Sequence, residues 1–210
     1  MGGSPAPLAM KVYTVGCILL LWSSWSFGQS LEVMGGDKGM FVDAQWLEFM
    51  GGQNNWSIFS RTRATISYEN QTDLFTGAYL NYTLANGLGG SLVGRVASAG
   101  AGADAGVHIF KAKQQWMLFG LASVALKNEL QYSWFSILRY TPTIHEHWKL
   151  YTSLELFSLF GKNNHLVSVQ RVRLGLDYRQ FQFGLAANFS ARGSSWAYSS
   201  NLGGFLRKSF

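Results

Sequence analysis

Residues 148–160 read "WKLYTSLELFSLF". Trp148, Leu150, Leu154, Leu156 and Phe160 share one parity, and Lys149, Tyr151, Ser153 and Glu155 share the other. A period of two sustained over such a length is a strand whose two faces meet different surroundings. The pattern returns in residues 166–178, "LVSVQRVRLGLDY", where Val172, Leu174, Leu176 and Tyr178 oppose Arg171, Arg173 and Asp177. It returns again in residues 181–189, "FQFGLAANF", where Phe181, Phe183, Leu185, Ala187 and Phe189 oppose Gln182, Gly184 and Asn188.

Outward from these segments, the chain repeats one move: a strand ends, a few polar or glycine residues follow, and a large apolar residue opens the next strand. The cases are "FMGGQNNWSIF", "TLANGLGGSL", "FKAKQQWMLF", "TIHEHWKLY" and "DYRQFQFGL", which place Trp56, Leu88, Trp116, Trp148 and Phe181 at strand starts. Turn signals this regular indicate an up-and-down meander. The predicted strands are 41–50, 56–69, 73–84, 88–98, 105–113, 116–127, 131–141, 148–160, 165–178, 181–190 and 196–210. A short strand at 31–35, turning at "GGDKG", makes twelve. Ten remain if 30–50 lies below or inside the barrel. The fold class is thus all-β, an antiparallel up-and-down barrel of twelve strands or of ten.

Alternation alone does not say which face points outward. Strands of this length suit a tilted membrane crossing, which needs roughly 9–11 residues. Aromatics recur at strand ends, where an interfacial girdle would lie: Trp56, Trp116, Trp148 and Phe181 on one rim. Ten to twelve strands also enclose an interior wider than a soluble apolar core readily fills. Composition agrees: 13% of residues are charged, 15% are aromatic, and 24 of 210 are glycine. No apolar run of helical-span length occurs beyond the N-terminus, so the body of the chain holds no membrane helix.

Residues 1–28 read as an export signal: Lys11 is the basic residue, "VYTVGCILLLW" the apolar core, and "SSWSFG" the approach to a cut after Gly28. Cys17, the single cysteine, would leave with it, so the remaining chain has no thiol chemistry. Loss of Lys11 takes the formal net charge from +6 to +5. The basic residues are scattered along strands rather than clustered, which argues against nucleic-acid binding.

The last strand, "YSSNLGGFLRKSF", ends on Phe210. With the signal segment and the meander, it resembles the outer-membrane β-barrels of Gram-negative bacteria, small Bacteroidota barrels in particular. The resemblance implies location in the cell outer membrane. It also implies contact with outer-membrane lipid and lipopolysaccharide, and a last strand read by the barrel-assembly machinery. Leu202, Leu206 and Phe210 would be the lipid-facing positions of that assembly signal. Lys208 departs from the apolar preference, although a lysine near the rim can extend its amine to water. With the C-terminus in the periplasm, the turns near 51–55, 85–87, 113–115, 142–147 and 179–180 are periplasmic. Those near 70–72, 98–105, 127–131, 161–164 and 191–196 then face outward. The "SAGAGADAG" stretch is read as a flexible connection.

Polar faces turned inward put Arg61, Arg63, Arg95, Arg139, Lys149, Arg171, Arg173 and Arg207 in the lumen with Asp43, Glu155 and Asp177. Tyr79, Asn81, Gln182, Asn188 and Asn201 join them. The leading reading is a narrow, anion-favouring channel for small solutes. The alternative is a plugged structural or partner-binding barrel in which arginines pair with carboxylates. An outer-membrane lipid-modifying enzyme is the remaining class. Its nearest candidate is His165 at the outward rim, but no serine spacing singles out a nucleophile. "HEH" at 145–147 is weak evidence for a metal. No catalytic, cofactor-binding or metal-binding residue is therefore assigned, and no enzyme activity or cofactor is expected.

Deletion of Phe210 is expected to reduce assembly sharply, read as loss of the heat-modifiable band in the outer-membrane fraction. Undiminished heat-modifiable barrel would contradict the assembly role.

Overall fold

A computed structural model describes residues 29–51, 55–98, 100–127 and 129–210. The export signal expected at 1–28 lies outside them. The strands are β1 (Ser30–Gly36), β2 (Gly39–Met50), β3 (Trp56–Ser67), β4 (Thr72–Thr83), β5 (Leu88–Ala97), β6 (Gly100–Ala112) and β7 (Trp116–Ala125). They continue as β8 (Gln131–Tyr140), β9 (Thr143–His145), β10 (Trp148–Gly161), β11 (His165–Tyr178), β12 (Phe181–Arg192) and β13 (Ala197–Ser209). Each wall strand pairs antiparallel with its neighbours in sequence, and β8 pairs directly with β10. The three-residue β9 adds only a short ribbon against the start of β10.

Closure comes from β1 and β13, which pair in register from Ser30↔Ser209 to Gly36↔Gly203. Residues 30–50 thus form two wall strands, and the barrel has twelve strands with no open edge. A spanning sheet in hydrocarbon must close, because each unpaired backbone group there costs several kcal/mol. The even count leaves the described start and end of the chain at one rim, where Phe210 N–H donates to the Gln29 carbonyl at 3.0 Å. Hairpins are tight at both rims. In the two-residue turn after β11, Arg179 takes the left-handed conformation (φ 60°) that such hairpins require.

The apolar face points outward. Leu185 is 70% exposed, Val107 69% and Leu92 56%, values that an apolar core would not leave. Leu202 and Leu206 share that face and Phe205 is buried on the other. Two aromatic belts edge the apolar band. At the rim carrying the described termini, Trp56 packs on Tyr82 at 4.9 Å and Trp148 on Tyr178 at 4.5 Å. At the opposite rim, Tyr132 stacks on Phe160 at 5.3 Å and Phe189 on Tyr198 at 6.2 Å. Belts of this kind place amphipathic rings at both membrane interfaces.

One predicted strand starts five residues earlier than expected, at Gly100 rather than 105, and takes up most of the expected flexible connection. Residues 100–112, including most of "SAGAGADAG", form β6, which pairs with β5 from Ala97↔Gly100 to Leu88↔Ile109. Glycine and alanine give no polarity contrast between faces, yet the backbone ladder does not need one. Gly102 has a structural use there: a Cβ at that position would sit 3.3 Å from Arg95 Nε, so glycine leaves the guanidinium its path. Two facing glycines, Gly175 and Gly184, act similarly in the wall. A Cβ on Gly175 would lie 2.1 Å from the Phe183 carbonyl oxygen, so only glycine permits this close approach of β11 and β12.

Val172 lies at the middle of β11 on the outward face, opposite Leu154. Val172→Arg is expected to lower folding stability in lipid vesicles by about 2–4 kcal/mol, the cost of an arginine at a barrel's lipid-facing midplane. Denaturant titration of the vesicle-inserted barrel checks this; unchanged stability would contradict lipid contact at that face.

Candidate functional site: an arginine–carboxylate layer across the barrel

The inward positions near the middle of the strands carry charge of both signs. Asp43 on β2 is 2% exposed and Arg61 on β3 is 3% exposed. They form a two-pronged pair, Arg61 Nε to Oδ1 at 2.7 Å and Nη2 to Oδ2 at 2.5 Å. Gln45 Nε2 donates to the same Asp43 Oδ2 at 2.7 Å. Guanidinium and carboxylate match as forks, so this arrangement fixes orientation as well as charge.

Glu155 on β10 is the junction. It meets Arg61 Nη1 at 2.6 Å, Arg63 Nη2 at 2.5 Å and Arg171 Nη1 at 2.5 Å. In the strand order β10 stands six strands from β3, which is diametrically opposite in a wall of twelve. The Arg61–Glu155 and Arg63–Glu155 pairs therefore cross the whole lumen. A second crossing joins β8 to β2, likewise six strands apart, where Arg139 Nη2 donates to Gln45 Oε1 at 3.0 Å.

Around this bridge, Arg173 donates to Glu32 at 2.8 Å, to Asn188 Oδ1 at 2.9 Å and to the Val172 carbonyl at 2.9 Å. Arg207 donates to Ser30 Oγ at 2.7 Å and to Gln45 Oε1 at 3.3 Å. Phe41 lies beneath two of the cations, with Arg171 at 5.0 Å and Arg173 at 5.8 Å from its ring centre. The residual space among these side chains is about 20 Å³, roughly enough for one water molecule.

The other residues singled out by sequence stand apart from the layer. Arg95 pairs locally with Asp104 at 3.1 Å between β5 and β6. Asp177 accepts from Gln182 Nε2 at 3.1 Å near the rim carrying the described termini, and Lys149 is exposed at that rim. Glu32 and Asp104 are buried carboxylates that sequence reasoning did not place in the interior. Glu32 was recoverable: in "LEVM", Leu31 and Val33 take one parity and Glu32 and Met34 the other. Asp104 was hidden by its glycine-rich surroundings.

The interior is also less polar than the alternation suggested. Tyr79, Val93, Leu121, Phe135 and Ile137 form a buried inward cluster, flanked by Phe59, Met117, Phe119 and Phe157. Beside it, Ser91 Oγ donates to Asn81 Oδ1 at 2.7 Å, which leaves His108 Nδ1–H to donate to Ser91 Oγ at 2.8 Å. His108 Nε2 then accepts from Thr83 Oγ1 at 2.9 Å. This closed chain of partners gives the buried polar groups what burial would otherwise deny them.

His165 lies at the rim opposite the described termini and stacks on Trp196 at 3.7 Å. Its Nδ1–H donates to the Gly193 carbonyl at 3.0 Å, so Nε2 accepts from Ser168 Oγ at 2.9 Å. Ser168 Oγ also bonds Ser158 Oγ at 2.9 Å, and the flanking backbone is committed to the β10–β11 ladder. Among the described residues no cluster of histidine, cysteine and carboxylates could hold a metal ion.

Comparison with solved structures places the fold. The chain is similar to LpxR from Salmonella typhimurium, with 10% identity over 87% of this chain and 99% of that one at a TM-score of 0.50. It is similar to the NanC porin, with 10% identity, 87% and 99% coverage and a TM-score of 0.53. It is similar to the KdgM porin, with 11% identity, 87% and 98% coverage and a TM-score of 0.50. No family model and no curated protein matches the sequence. This is a small outer-membrane-type β-barrel. The likeness extends over nearly the full length of these barrels, and at such low identity it concerns architecture alone.

Glu155→Gln would leave three guanidiniums facing a neutral amide. It is expected to lower barrel stability by about 3–5 kcal/mol, as for other buried ion pairs broken on one side. Urea unfolding in vesicles measures this; a change below about 0.5 kcal/mol would show that the layer is not structural.

Proposed function

We propose that the chain is an integral outer-membrane barrel that stands closed at mid-height, with the arginine–carboxylate layer separating its two mouths. The observation that carries this reading is Glu155, which ties Arg61 and Arg63 of the opposite wall to Arg171 of its own side. A solute crossing the barrel would have to break these pairs, and the remaining void admits about one water. The plugged alternative is thus the resting form. Its neighbours in the envelope are outer-membrane lipid and lipopolysaccharide at the apolar band, and the barrel-assembly machinery at the last strand.

Passage of small anions is the second reading, and the charge balance of the layer favours it. Arg61, Arg63, Arg139, Arg171, Arg173 and Arg207 meet only Asp43, Glu155 and Glu32. Were the layer to loosen, the excess guanidiniums would raise the local anion concentration. No catalytic step enters either reading.

In planar bilayers the wild-type barrel is expected to give no steady conductance. Replacement of Arg61 and Arg63 by alanine removes the crossing side chains and should produce discrete steps. Retained heat-modifiability shows that the variant has folded. Large, stable steps from the wild type would overturn the closed resting form, and cation preference in the opened variant would overturn the anion reading.

A further inference from the structure

Between the charged layer and the rim carrying the described termini lies a cavity of about 300 Å³. Its walls carry Leu47, Phe59, Phe110, Met117, Phe119 and Ile137, together with Ser57, Asn81, Thr83 and His108, which hydrogen-bond among themselves. An aqueous vestibule would be expected to present a mainly polar wall there, since barrel interiors are ordinarily polar, whereas aromatic and aliphatic side chains supply most of this one. Wall strength does not call for these rings. The ladder holds the strands, and lipid covers the other face.

The inner end of the same cavity is formed by Arg139, Arg207 and Gln45. Arg139 Nη2 reaches Gln45, an amide, and its buried Nε has no hydrogen-bond partner. The nearest carboxylate to Arg207 is Glu32, at 4.0 Å. Two guanidiniums with little local anionic compensation therefore close the deep end of an apolar sleeve. At the mouth stand Phe49, Phe110, Ser209 and Phe210.

We propose that this chamber binds a single-chain anionic amphiphile, a long-chain carboxylic acid. Its carboxylate lies against Arg139 and Arg207, and its alkyl chain runs along the phenylalanines towards the rim bearing Phe210. The pairing follows from shape and charge. A carboxylate supplies the two acceptor oxygens that a guanidinium's fork matches. Most of the exposed wall offers aromatic and aliphatic contact, and the polar side chains along it, Ser57, Asn81, Thr83 and His108, are already hydrogen-bonded to one another. The volume lies at the lower end of the range for small-molecule sites, which suits one chain rather than a two-chain lipid. Binding goes beyond the barrier role of the charged layer: the site uses that layer as its floor and needs no passage through it.

The test uses the full barrel held in amphipol, with empty amphipol as the blank, and a fluorescent long-chain carboxylate displaced by palmitate. Palmitate should displace the probe at least tenfold more effectively than hexadecanol, which has the same tail and no charge. Arg139→Gln should reduce palmitate's advantage over hexadecanol at least fivefold. Met117→Trp, which fills the sleeve, should abolish both. If Arg139→Gln does not give a heat-modifiable barrel, Arg207→Gln serves in its place. The palmitate-to-hexadecanol comparison on the wild type stands regardless. Equal displacement by the two on the wild type, or palmitate binding indifferent to both Arg139→Gln and Met117→Trp, would overturn the proposal. Conductance is not part of the readout, so failure here is distinguishable from failure of the closed-barrel reading.

Discussion

Backbone hydrogen bonding in a medium without water is the constraint on which this molecule depends. Every strand amide in the wall must find a carbonyl on a neighbouring strand, and the sheet must have no first or last strand. The register of β1 with β13 meets that requirement, which gives the short segment Ser30–Gly36 an importance out of proportion to its length. Once the wall is closed, outward side chains are free to be apolar and inward ones must come to terms with one another. Leucines and valines of the outer face are exposed, and the carboxylates Glu32, Asp43 and Glu155 are buried.

The interior answers its own crowding with charge. Asp43 and Glu155 are almost wholly removed from solvent, a position no isolated carboxylate would tolerate. Three arginines converge on Glu155, and two on Asp43. Because Arg61 and Arg63 reach Glu155 on the opposite wall, the layer also braces the barrel. It also divides the lumen chemically, leaving below it a chamber walled largely by aromatic and aliphatic side chains whose deep end is cationic.

Much of the wall was legible in the sequence because contrast between faces is strong where arginine alternates with leucine, as in β10 and β11. Strand starts at Trp56, Leu88, Trp116, Trp148 and Phe181 coincide with those in the structure. Contrast failed in two ways. In the first half of β6 both faces are small, so the strand was read as starting at 105 rather than at Gly100; in β7, "WMLFGLASVA", both faces are apolar, so nothing marked Met117, Phe119 and Leu121 as inward. The layer's pairings were beyond reach for a different reason. Arg63 and Glu155 lie 92 residues apart, and only the closure and stagger of the barrel bring them together. The apolar chamber was missed because inward was equated with polar.

The account stands on the orientation of the wall: leucine side chains to lipid, arginine side chains to the interior. Nitroxide scanning along β11 addresses this directly, one introduced cysteine at a time from 169 to 176 in a vesicle-inserted barrel lacking residues 1–28 and thus Cys17. Collision with oxygen dissolved in the bilayer should rise and fall with a period of two, with maxima at 170, 172, 174 and 176. Maxima at the odd positions, or a flat profile with water-like accessibility throughout, would contradict it.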